Sequence, residues 1–422
     1  MKKSAFILIV ACFGLCLPLA AQHADTAGLT RIWKFTLSGM VSPQLYMDTR
    51  QVVAGREEMM LFFPKPFEPD ADGNDLNAVP SLNMLAITTR LALAMEGPDV
   101  LGARLKGYVE GDFTGATDAT INMFRLRHAY IDMRWKHNEL LMGQYWYPMT
   151  IHEIMPGTRP LNMGAPFHPY ARYSQVRYTA RAGKFEAVAV AAFQLDNKSQ
   201  GPAGSSTSYL KHSLVPECNF QLRYRDERFI AGVAYNLMAV KPRDFVLDTL
   251  GRKHKVDDRY VSHSFSAFAG YSGPRWRITG QTVLSDNLYE GSTLGGYIEH
   301  SVLDGDRCAY IYRPWHYTTA WLDFGRSTGR WRPGCFLGLG INNGSGEELR
   351  PGEVVYGRGY DISLLYRVQP RIGYVTDAGL SFWFEVEHTF ARYTETAAHP
   401  ACDVFNDRFI LSAVYQFQKN LK

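Results

Sequence analysis

The chain has 422 residues, with 45 Lys and Arg against 41 Asp and Glu and a formal charge of +4. That balance excludes the strongly basic surface of a nucleic-acid-binding protein, so no nucleic-acid partner is expected. Hydrophobic residues make up 46% of the chain, yet no stretch after the N-terminal region reaches the roughly 18 consecutive apolar residues that suggest a membrane-spanning helix.

The first predicted element is a secretory signal peptide over residues 1–21. Lys2 and Lys3 precede an apolar stretch that ends in small residues at Ala21, which is the pattern of a cleavable signal. A short segment, 22–32, then leads into the rest of the chain. The signal predicts a protein that is exported from the cytoplasm.

Sixteen amphipathic segments follow within residues 33–417, joined alternately by short and long connections. The short connections are 97–99, 136–138, 182–184, 226–227, 272–274, 327–329 and 376–378. The long connections are 49–83, 114–121, 148–170, 197–217, 241–260, 288–313, 343–359 and 394–403. The pattern predicts an all-β fold, a transmembrane antiparallel β-barrel of about 16 strands with short periplasmic turns, long extracellular loops and a C-terminal tail at 418–422.

Within each predicted strand, apolar and polar side chains alternate. In 101–113, for example, Leu105 and Val109 share one face while Lys106 and Glu110 share the other. Successive side chains of a strand point to opposite faces, so one set must meet lipid and the other a wet interior. The predicted pore-lining set is Arg90, Arg104, Lys106, Glu110, Asp112, Arg125, Arg127, Arg177, Arg181, Arg223, Arg225, Arg367 and Arg371.

Basic residues outnumber acidic residues in this inward set. Arginine stays charged, and its guanidinium can donate two parallel hydrogen bonds to the two oxygens of a carboxylate. The excess of inward basic residues therefore favours an anion-selective pore. The alternative is a structural network, in which the arginines form ion pairs with acids across the lumen.

One segment, 122–136, alternates less cleanly than the others. Arg125 and Arg127 share a parity that continues into Ala129 and Ile131, which are apolar. Either a β-bulge shifts the register, or this part of the wall packs on another subunit.

The long connection 148–170 differs in composition from the other loops. Five prolines stiffen its backbone, and its apolar residues, such as Ile154 and Phe167, require burial. Folding into the barrel would bury them and narrow the channel, which would place His152, Glu153, Arg159 and His168 at the constriction. The alternatives are that the loop caps the rim or packs on a neighbouring subunit.

Two cysteines, Cys308 and Cys402, fall in predicted outer loops. An oxidising compartment allows a disulfide between them, but the sequence does not show that they meet.

Three runs in residues 105–146 resemble the DcaP-like outer-membrane porins: LKGYVEGDF, FRLRHAY and LMGQYW. The resemblance implies a trimeric sixteen-stranded porin, of a family in which some members take small dicarboxylates or other organic anions, with Arg125 and Arg127 in the lumen. Segment 22–32 is too short for the N-terminal stalk of some members. The chain also continues five residues past Phe417, where many barrels end.

Together these features predict an outer-membrane porin of a Gram-negative bacterium, a passive diffusion channel for small hydrophilic solutes that favours organic anions such as dicarboxylates. The expected partners are outer-membrane lipid, small anionic solutes and two further copies in a homotrimer. No metal or cofactor is expected, and no catalytic residues are expected either. A catalytic pair of serine and histidine would need both side chains on one face, whereas His263 and Ser264 are sequence neighbours and therefore point to opposite faces. The alternative function is a structural or adhesive barrel without significant transport.

Overall fold

The computed structural model describes residues 33–421. The predicted signal peptide, the segment 22–32 and Lys422 lie outside the described residues. Within the described range, no helix has both the length and the apolar character needed to cross a membrane.

Sixteen strands, β1 to β16, close into one antiparallel barrel. Two of them are interrupted: β1 comprises Lys34–Val41 and Gln44–Asp48, and β2 comprises Ser81–Leu85 and Arg90–Glu96. The others are Arg104–Asp112, Arg125–Arg134, Asn138–Trp146, Arg172–Ala182, Phe185–Phe193, Glu217–Arg225, Phe229–Val240, Tyr260–Ser272, Trp276–Ser285, Arg307–Arg326, Trp331–Gly344, Ile362–Val375, Leu380–Tyr393 and Cys402–Leu421.

The last strand closes the barrel by pairing with the first. The register runs from Phe35 opposite Leu421 to Asp48 opposite Arg408. The predicted C-terminal tail is therefore wrong for residues 418–421, which continue β16. The reason is that the N-terminal half of β1 offers hydrogen-bonding groups along its whole length.

The connections alternate in length as the sequence predicts. The long ones are named L1 to L8 in chain order and span 49–80, 113–124, 147–171, 194–216, 241–259, 286–306, 345–361 and 394–401. One prediction needs correction: most of 288–313 is not irregular. Gly295–Asp304 pairs with the first half of β12 and with Val354–Arg358, so the sheet continues beyond the barrel wall.

Strand β10 shows the predicted two-residue alternation most clearly. From Tyr260 to Gly270 every even-numbered residue is buried and every odd-numbered residue is exposed. Ser264 and Ser266 therefore face the interior, while Phe265 faces the outside. The barrel has the apolar outer wall and polar interior that the alternation predicts.

The irregular strand β4 contains a bulge. The register with β3 shifts between Glu110, which pairs with His128, and Gly111, which pairs with Leu126. Arg127 is the extra residue, and the Gln144 amide donates hydrogen bonds to the carbonyls of Leu126 and Arg127 at 2.9 and 3.0 Å. The bulge keeps both Arg125 and Arg127 inside and returns Ala129 and Ile131 to the outer wall, which decides between the two alternatives left open by the sequence.

The apolar core lies inside the barrel, where two loops insert. A hairpin of L1, Val52–Gly55 paired with Met60–Pro64, packs together with L3 on the inner wall. The core joins Phe62 and Phe63 of L1 to Ile154 and Phe167 of L3 and to Phe336 of β13. The two loops therefore bury their apolar residues against the wall and against each other.

Candidate functional site

Loop L3 crosses the barrel interior. The Gln44 amide of β1 donates to the Arg159 carbonyl at 3.0 Å, and the Arg159 amide donates to Glu385 of β15 at 2.9 Å. Ile154 lies against Gly270 of β10, on another part of the wall. Contacts with such widely separated strands are available only from inside, so the prediction that this loop folds into the lumen is confirmed.

Side chains of the wall hold the backbone of L3 in place. The Gln221 and Gln281 amides donate to the carbonyls of Pro148 and Met149 at 2.8 and 3.0 Å. Arg277 donates to the carbonyls of Glu153 and Met155, and Arg367 donates to the carbonyl of Ala165 at 2.8 Å. A proline-rich loop has few partners of its own for its carbonyl groups, so the wall supplies them.

The four residues predicted at the constriction have different surroundings. The His152 side chain is half-exposed and shares a hydrogen bond with the Tyr145 hydroxyl. Glu153 forms ion pairs with Arg223 and Arg225. Burial alone would raise the pKa of Glu153, but these two guanidinium groups and His152 lower it well below its usual range.

Arg159 and His168 of L3 are more enclosed than His152. The Arg159 guanidinium stacks over Trp383 with its central carbon 4.0 Å from the ring centre. His168 is fully buried beside Trp321, and burial lowers its pKa to about 4. His152 is therefore the most exposed of the four side chains, whereas Arg159 and His168 hold the loop on the wall.

Most of the predicted pore-lining residues form ion pairs. The pairs are Arg90 with Glu110, Arg125 with Asp112 and Asp196, Arg127 with Glu110 and Asp112, Arg181 with Glu139 and Glu186, Arg225 with Glu153 and Glu186, Arg223 with Glu153, Arg367 with Glu387, and Arg371 with Asp323. Arg104, Lys106 and Arg177 form no ion pair within residues 33–421. Much of the inward charge is thus a structural network, the alternative that the sequence left open.

One cluster retains an excess of positive charge. Arg90 and Arg127 share Glu110, with Arg127 only 2.5 Å and Arg90 3.9 Å from its oxygen. Next to them, Arg172 at the start of β6 forms no ion pair with any described carboxylate. Its guanidinium instead stacks 4.2 Å from the Trp146 ring and donates to the Tyr170 hydroxyl at 3.0 Å.

The positive charge of this cluster lowers the pKa of the Tyr170 phenol. Burial alone would raise the pKa of Tyr170, but Arg172, Arg127 and Arg90 outweigh it and lower that pKa to about 8. Tyr170 lies two residues before β6, near the end of L3, so the loop brings a hydroxyl of lowered pKa to the arginines. A field of this sign attracts anions.

An aromatic strip runs along the inner wall below the cluster. Ring centres of Tyr108 and Tyr130 lie 5.4 Å apart, those of Tyr130 and Tyr145 5.1 Å, and those of Tyr145 and His152 5.6 Å. All four side chains are partly exposed. The strip joins the arginine cluster to L3 with rigid, amphipathic surface.

Sequence reasoning missed two components of the site. Arg172 has the parity of the outer wall, but it stands where the strand leaves the loop and its long side chain turns inward over Trp146. The L1 hairpin was counted as an outer loop, although the run Met59-Met60-Leu61-Phe62-Phe63 gave a signal, because five apolar residues in a loop require burial.

A buried acid in L6 lies beside the end of β8 that adjoins the long loops. Glu290 is 1% exposed, and neither of its carboxylate oxygens has a hydrogen-bond partner in the described part of the chain. Burial raises the pKa of Glu290 well above its ordinary range, and the neighbouring carboxylate of Glu217 raises it further, against the opposing effect of Arg358. Burial therefore favours the uncharged, protonated form of Glu290. The same segment of L6 packs on L3 through the hydrogen bond from the Tyr170 amide to the Gly291 carbonyl.

Replacement of Glu290 by Gln is expected to make the stability of the barrel decrease less as the pH rises. The folded chain keeps the Glu290 carboxyl protonated at pH values above its ordinary pKa of 4.5, whereas the unfolded chain does not. The contribution of Glu290 to stability is therefore fully present below pH 4.5 and is lost as the pH rises toward the raised pKa of the folded state. The temperature at which the barrel loses its folded migration on a gel, measured from about pH 5 to pH 9, tests this. Glu348→Gln, in exposed L7, is the matched control, and equal pH slopes for wild type and Glu290→Gln would contradict the assignment.

All four cysteines in the described residues are free. Cys402, one half of the suggested disulfide, instead accepts a hydrogen bond from the Phe67 amide of L1 at 3.4 Å. The pairing of Cys308 with Cys402 is not formed.

No family model and no curated protein matches the chain. Solved structures match over nearly its whole described length. The outer-membrane channel DcaP of Acinetobacter baumannii is 16% identical with a TM-score of 0.65, covering 92% of this chain and 99% of that one. An anion-selective porin of Comamonas acidovorans is 10% identical with a TM-score of 0.55, covering 92% and 100%. OmpF of Salmonella typhi, solved with daunomycin, is 12% identical with a TM-score of 0.52, covering 91% and 97%.

At sequence identities this low, similarity to a solved structure shows only that the fold is shared. The chain has the closed sixteen-stranded β-barrel of the outer-membrane porins, and the resemblance to DcaP that the sequence suggested is confirmed at the level of the fold. A barrel of this class with an apolar outer wall belongs in the outer membrane of a Gram-negative bacterium, as predicted.

Proposed function

We propose that the chain is a passive diffusion channel for small hydrophilic solutes that favours organic anions. The porin fold and the inward-folded L3 support the channel role. The observation that carries the anion preference is Arg172, which is 8% exposed and has no carboxylate partner among the described residues. Arg177 of the same strand, also buried, has none either. Small dicarboxylates suit paired guanidinium groups because each carboxylate can accept two parallel hydrogen bonds.

The surroundings of Arg172 leave its charge without a carboxylate partner among the described residues. The central carbon of its guanidinium lies 4.2 Å from the ring centre of Trp146 and 5.2 Å from that of Tyr170. These rings pack on the guanidinium but do not neutralise its charge. Within residues 33–421, the guanidinium forms only one further hydrogen bond, to the His128 ring at 3.3 Å. The remaining donors of the guanidinium fork can then bind an anion without first breaking an ion pair.

Replacement of Arg172 by Met is expected to lower the preference for anions over cations by about twofold, because one uncompensated charge is removed next to a narrow passage. The reversal potential across a planar bilayer in a salt gradient measures this ratio. Arg392→Met is the matched control, since that guanidinium is half-exposed and paired with Asp403. Cation selectivity of the wild type at neutral pH would overturn the proposal.

A structural or adhesive barrel is the other candidate function. It would show no conductance as a folded barrel, so the same bilayer measurement separates the two. The assembly we propose is a homotrimer, supported by the trimer form in which OmpT of Vibrio cholerae, a barrel 10% identical to this chain with a TM-score of 0.53, was solved.

A further inference from the structure

Two buried carboxylates lie where L3, L6 and the beginning of β8 come together. Glu217 is fully buried and Glu290 is 1% exposed, and neither forms an ion pair with a described side chain. Arg358 is in the same region, but its guanidinium donates to the carbonyls of Tyr289 and Thr293, at 3.3 and 3.0 Å. Neighbouring carboxylates in a medium of low dielectric oppose each other's ionisation, so this pair requires a proton or a cation from outside the chain.

Tyr147, the first residue of L3, connects the two carboxylates. Its hydroxyl donates to Glu217 Oε1 at 2.6 Å. The backbone of L6 lies against the ring of the same side chain, since a Cβ placed on Gly291 would be 3.1 Å from a ring carbon of Tyr147. Gly291 directly follows Glu290, and the charge of Glu217 contributes to the raised pKa of Glu290. The two carboxylates are therefore neighbours.

The Glu217 carboxylate is held in one orientation. Its Oε1 accepts hydrogen bonds from the Tyr147 hydroxyl at 2.6 Å and from the Asn236 amide at 2.7 Å. Asn236 is itself fixed, because its carbonyl oxygen accepts a hydrogen bond from the Asn219 amide at 3.1 Å. These bonds leave Glu217 Oε2 free and pointing in a fixed direction. Carboxylates that bind a metal ion are commonly oriented by hydrogen bonds of this kind.

Several buried oxygens of this region have no hydrogen-bond partner among the described residues. They are Oε2 of Glu217, both carboxylate oxygens of Glu290 and the hydroxyl of Tyr173. The Tyr173 ring packs on Tyr147, with the ring centres 4.9 Å apart. Buried polar atoms rarely remain without a partner, because each one then loses its hydration without compensation. Three of the four are carboxylate oxygens, which accept but do not donate when ionised, so the set suits a cation.

We infer that Glu217 and Glu290 bind one Ca²⁺ ion, which fastens L6 to the base of L3 and to the beginning of β8. The charge of two ionised carboxylates matches that of a divalent ion. Both oxygens of Glu290 are free for bidentate binding, and Oε2 of Glu217 supplies a third ligand oxygen. The Tyr173 hydroxyl and water can complete the coordination. The inference concerns the fastening of the loops and does not depend on solute selectivity.

The ligand atoms favour Ca²⁺ over other metal ions. In the part of the chain that the structure describes, no three His, Cys, Asp and Glu side chains form a group that could hold a metal ion, which disfavours the transition metals. Ca²⁺ accepts about six to eight oxygens, including bidentate carboxylates and water, whereas Mg²⁺ demands a near-ideal octahedron. A proton and Ca²⁺ compete for the oxygens of Glu290, so the pH series on Glu290→Gln is measured in chelator.

Thermal unfolding of the purified barrel tests the inference, after removal of lipopolysaccharide, whose phosphates also bind divalent cations. The temperature at which folded migration on a gel is lost is expected to be several degrees higher in saturating Ca²⁺ than in chelator, because Ca²⁺ binds only the folded chain. Mg²⁺ should have a smaller effect, and elemental analysis after dialysis against Ca²⁺ should find a single ion per chain. Equal unfolding temperatures in Ca²⁺ and in chelator would overturn the site.

Two variants remove the charge of one ligand while keeping its shape. Glu217→Gln and Glu290→Gln are each expected to abolish the difference between Ca²⁺ and chelator. Glu299→Gln is the matched control, because Glu299 is also a buried glutamate of L6 but pairs with Arg243 at 2.6 Å. A difference that persists in both ligand variants, or that the control also loses, would mean that Ca²⁺ acts elsewhere and would overturn the site.

Tyr147→Phe tests the orientation of Glu217. Loss of the hydroxyl is expected to weaken Ca²⁺ binding about tenfold without abolishing it, as measured by the Ca²⁺ concentration that half-restores the unfolding temperature. Unchanged affinity would contradict the assignment of Glu217 as an oriented ligand. If a glutamine variant does not assemble, the calcium content of the wild type and the affinity of Tyr147→Phe still decide the question.

Discussion

Removal of residues 152–164 from L3 is expected to raise single-channel conductance several-fold and to strengthen the preference for anions. The segment crosses the lumen between β1, β10 and β15, so its loss widens the passage. It also removes Glu153, which neutralises Arg223 and Arg225. Conductance and reversal potential in a planar bilayer measure both effects on the same protein.

Deletion of 345–351 in L7 is the control for the shortened L3. That segment is mostly exposed and lies outside the barrel interior, so conductance should remain that of the wild type. Unchanged conductance of the L3 deletion, in a barrel that still shows heat-modifiable migration, would show that the pore passes elsewhere. A rise in conductance without a change in selectivity would show that Arg223 and Arg225 do not face the solute.

Replacement of Arg367 by Met is expected to reduce the free energy of unfolding by about 3–5 kcal/mol, the cost of leaving one partner of a buried ion pair uncompensated. Arg367 and Glu387 are both fully buried, with their charged atoms 3.0 Å apart. The same guanidinium donates to the carbonyls of Leu61, Phe62 and Ala165. One side chain thereby joins L1, L3 and the barrel wall, and urea unfolding of the reconstituted barrel, followed by tryptophan fluorescence, measures its contribution.

Two further variants separate the charge from the loss of packing. Arg367→Met combined with Glu387→Met is expected to recover part of the stability, because no charge remains buried without a partner. Arg392→Met removes an exposed ion pair with Asp403 and should leave the free energy of unfolding close to that of the wild type. Equal stability of Arg367→Met and the wild type would mean that L1 and L3 are held by their apolar contacts alone.

Much of the barrel could be predicted because its signals are local. The alternation of side chains has a period of two residues, and each strand carries it independently of its neighbours. The direction of Arg125 and Arg127 was predicted correctly, although the bulge at Arg127 became visible only in the pairing of β3 with β4. Composition showed that L3 must bury Ile154 and Phe167, but it left open whether the loop does so inside the barrel, at the rim or on a neighbouring subunit.

The charge state of the interior could not be predicted in the same way. Arg371 pairs with Asp323, two strands away in the barrel, and Arg367 reaches carbonyl groups of two different loops. Whether an inward arginine is neutralised depends on such distant partners. The uncompensated Arg172 has the parity of the lipid-facing side chains, and only the packing of Trp146 and Tyr170 turns it inward.

The sequence by itself determined that this protein is a sixteen-stranded outer-membrane barrel whose strands have one apolar and one polar face, and that one stiff loop needs burial. These properties follow from periodicity, connection length and composition, all of which are local. Only the tertiary structure decided which arginines are paired, and that L3 and the hairpin of L1 both fold into the barrel. Ion pairs and loop insertion arise between segments far apart in the chain, so they depend on how the closed barrel brings those segments together.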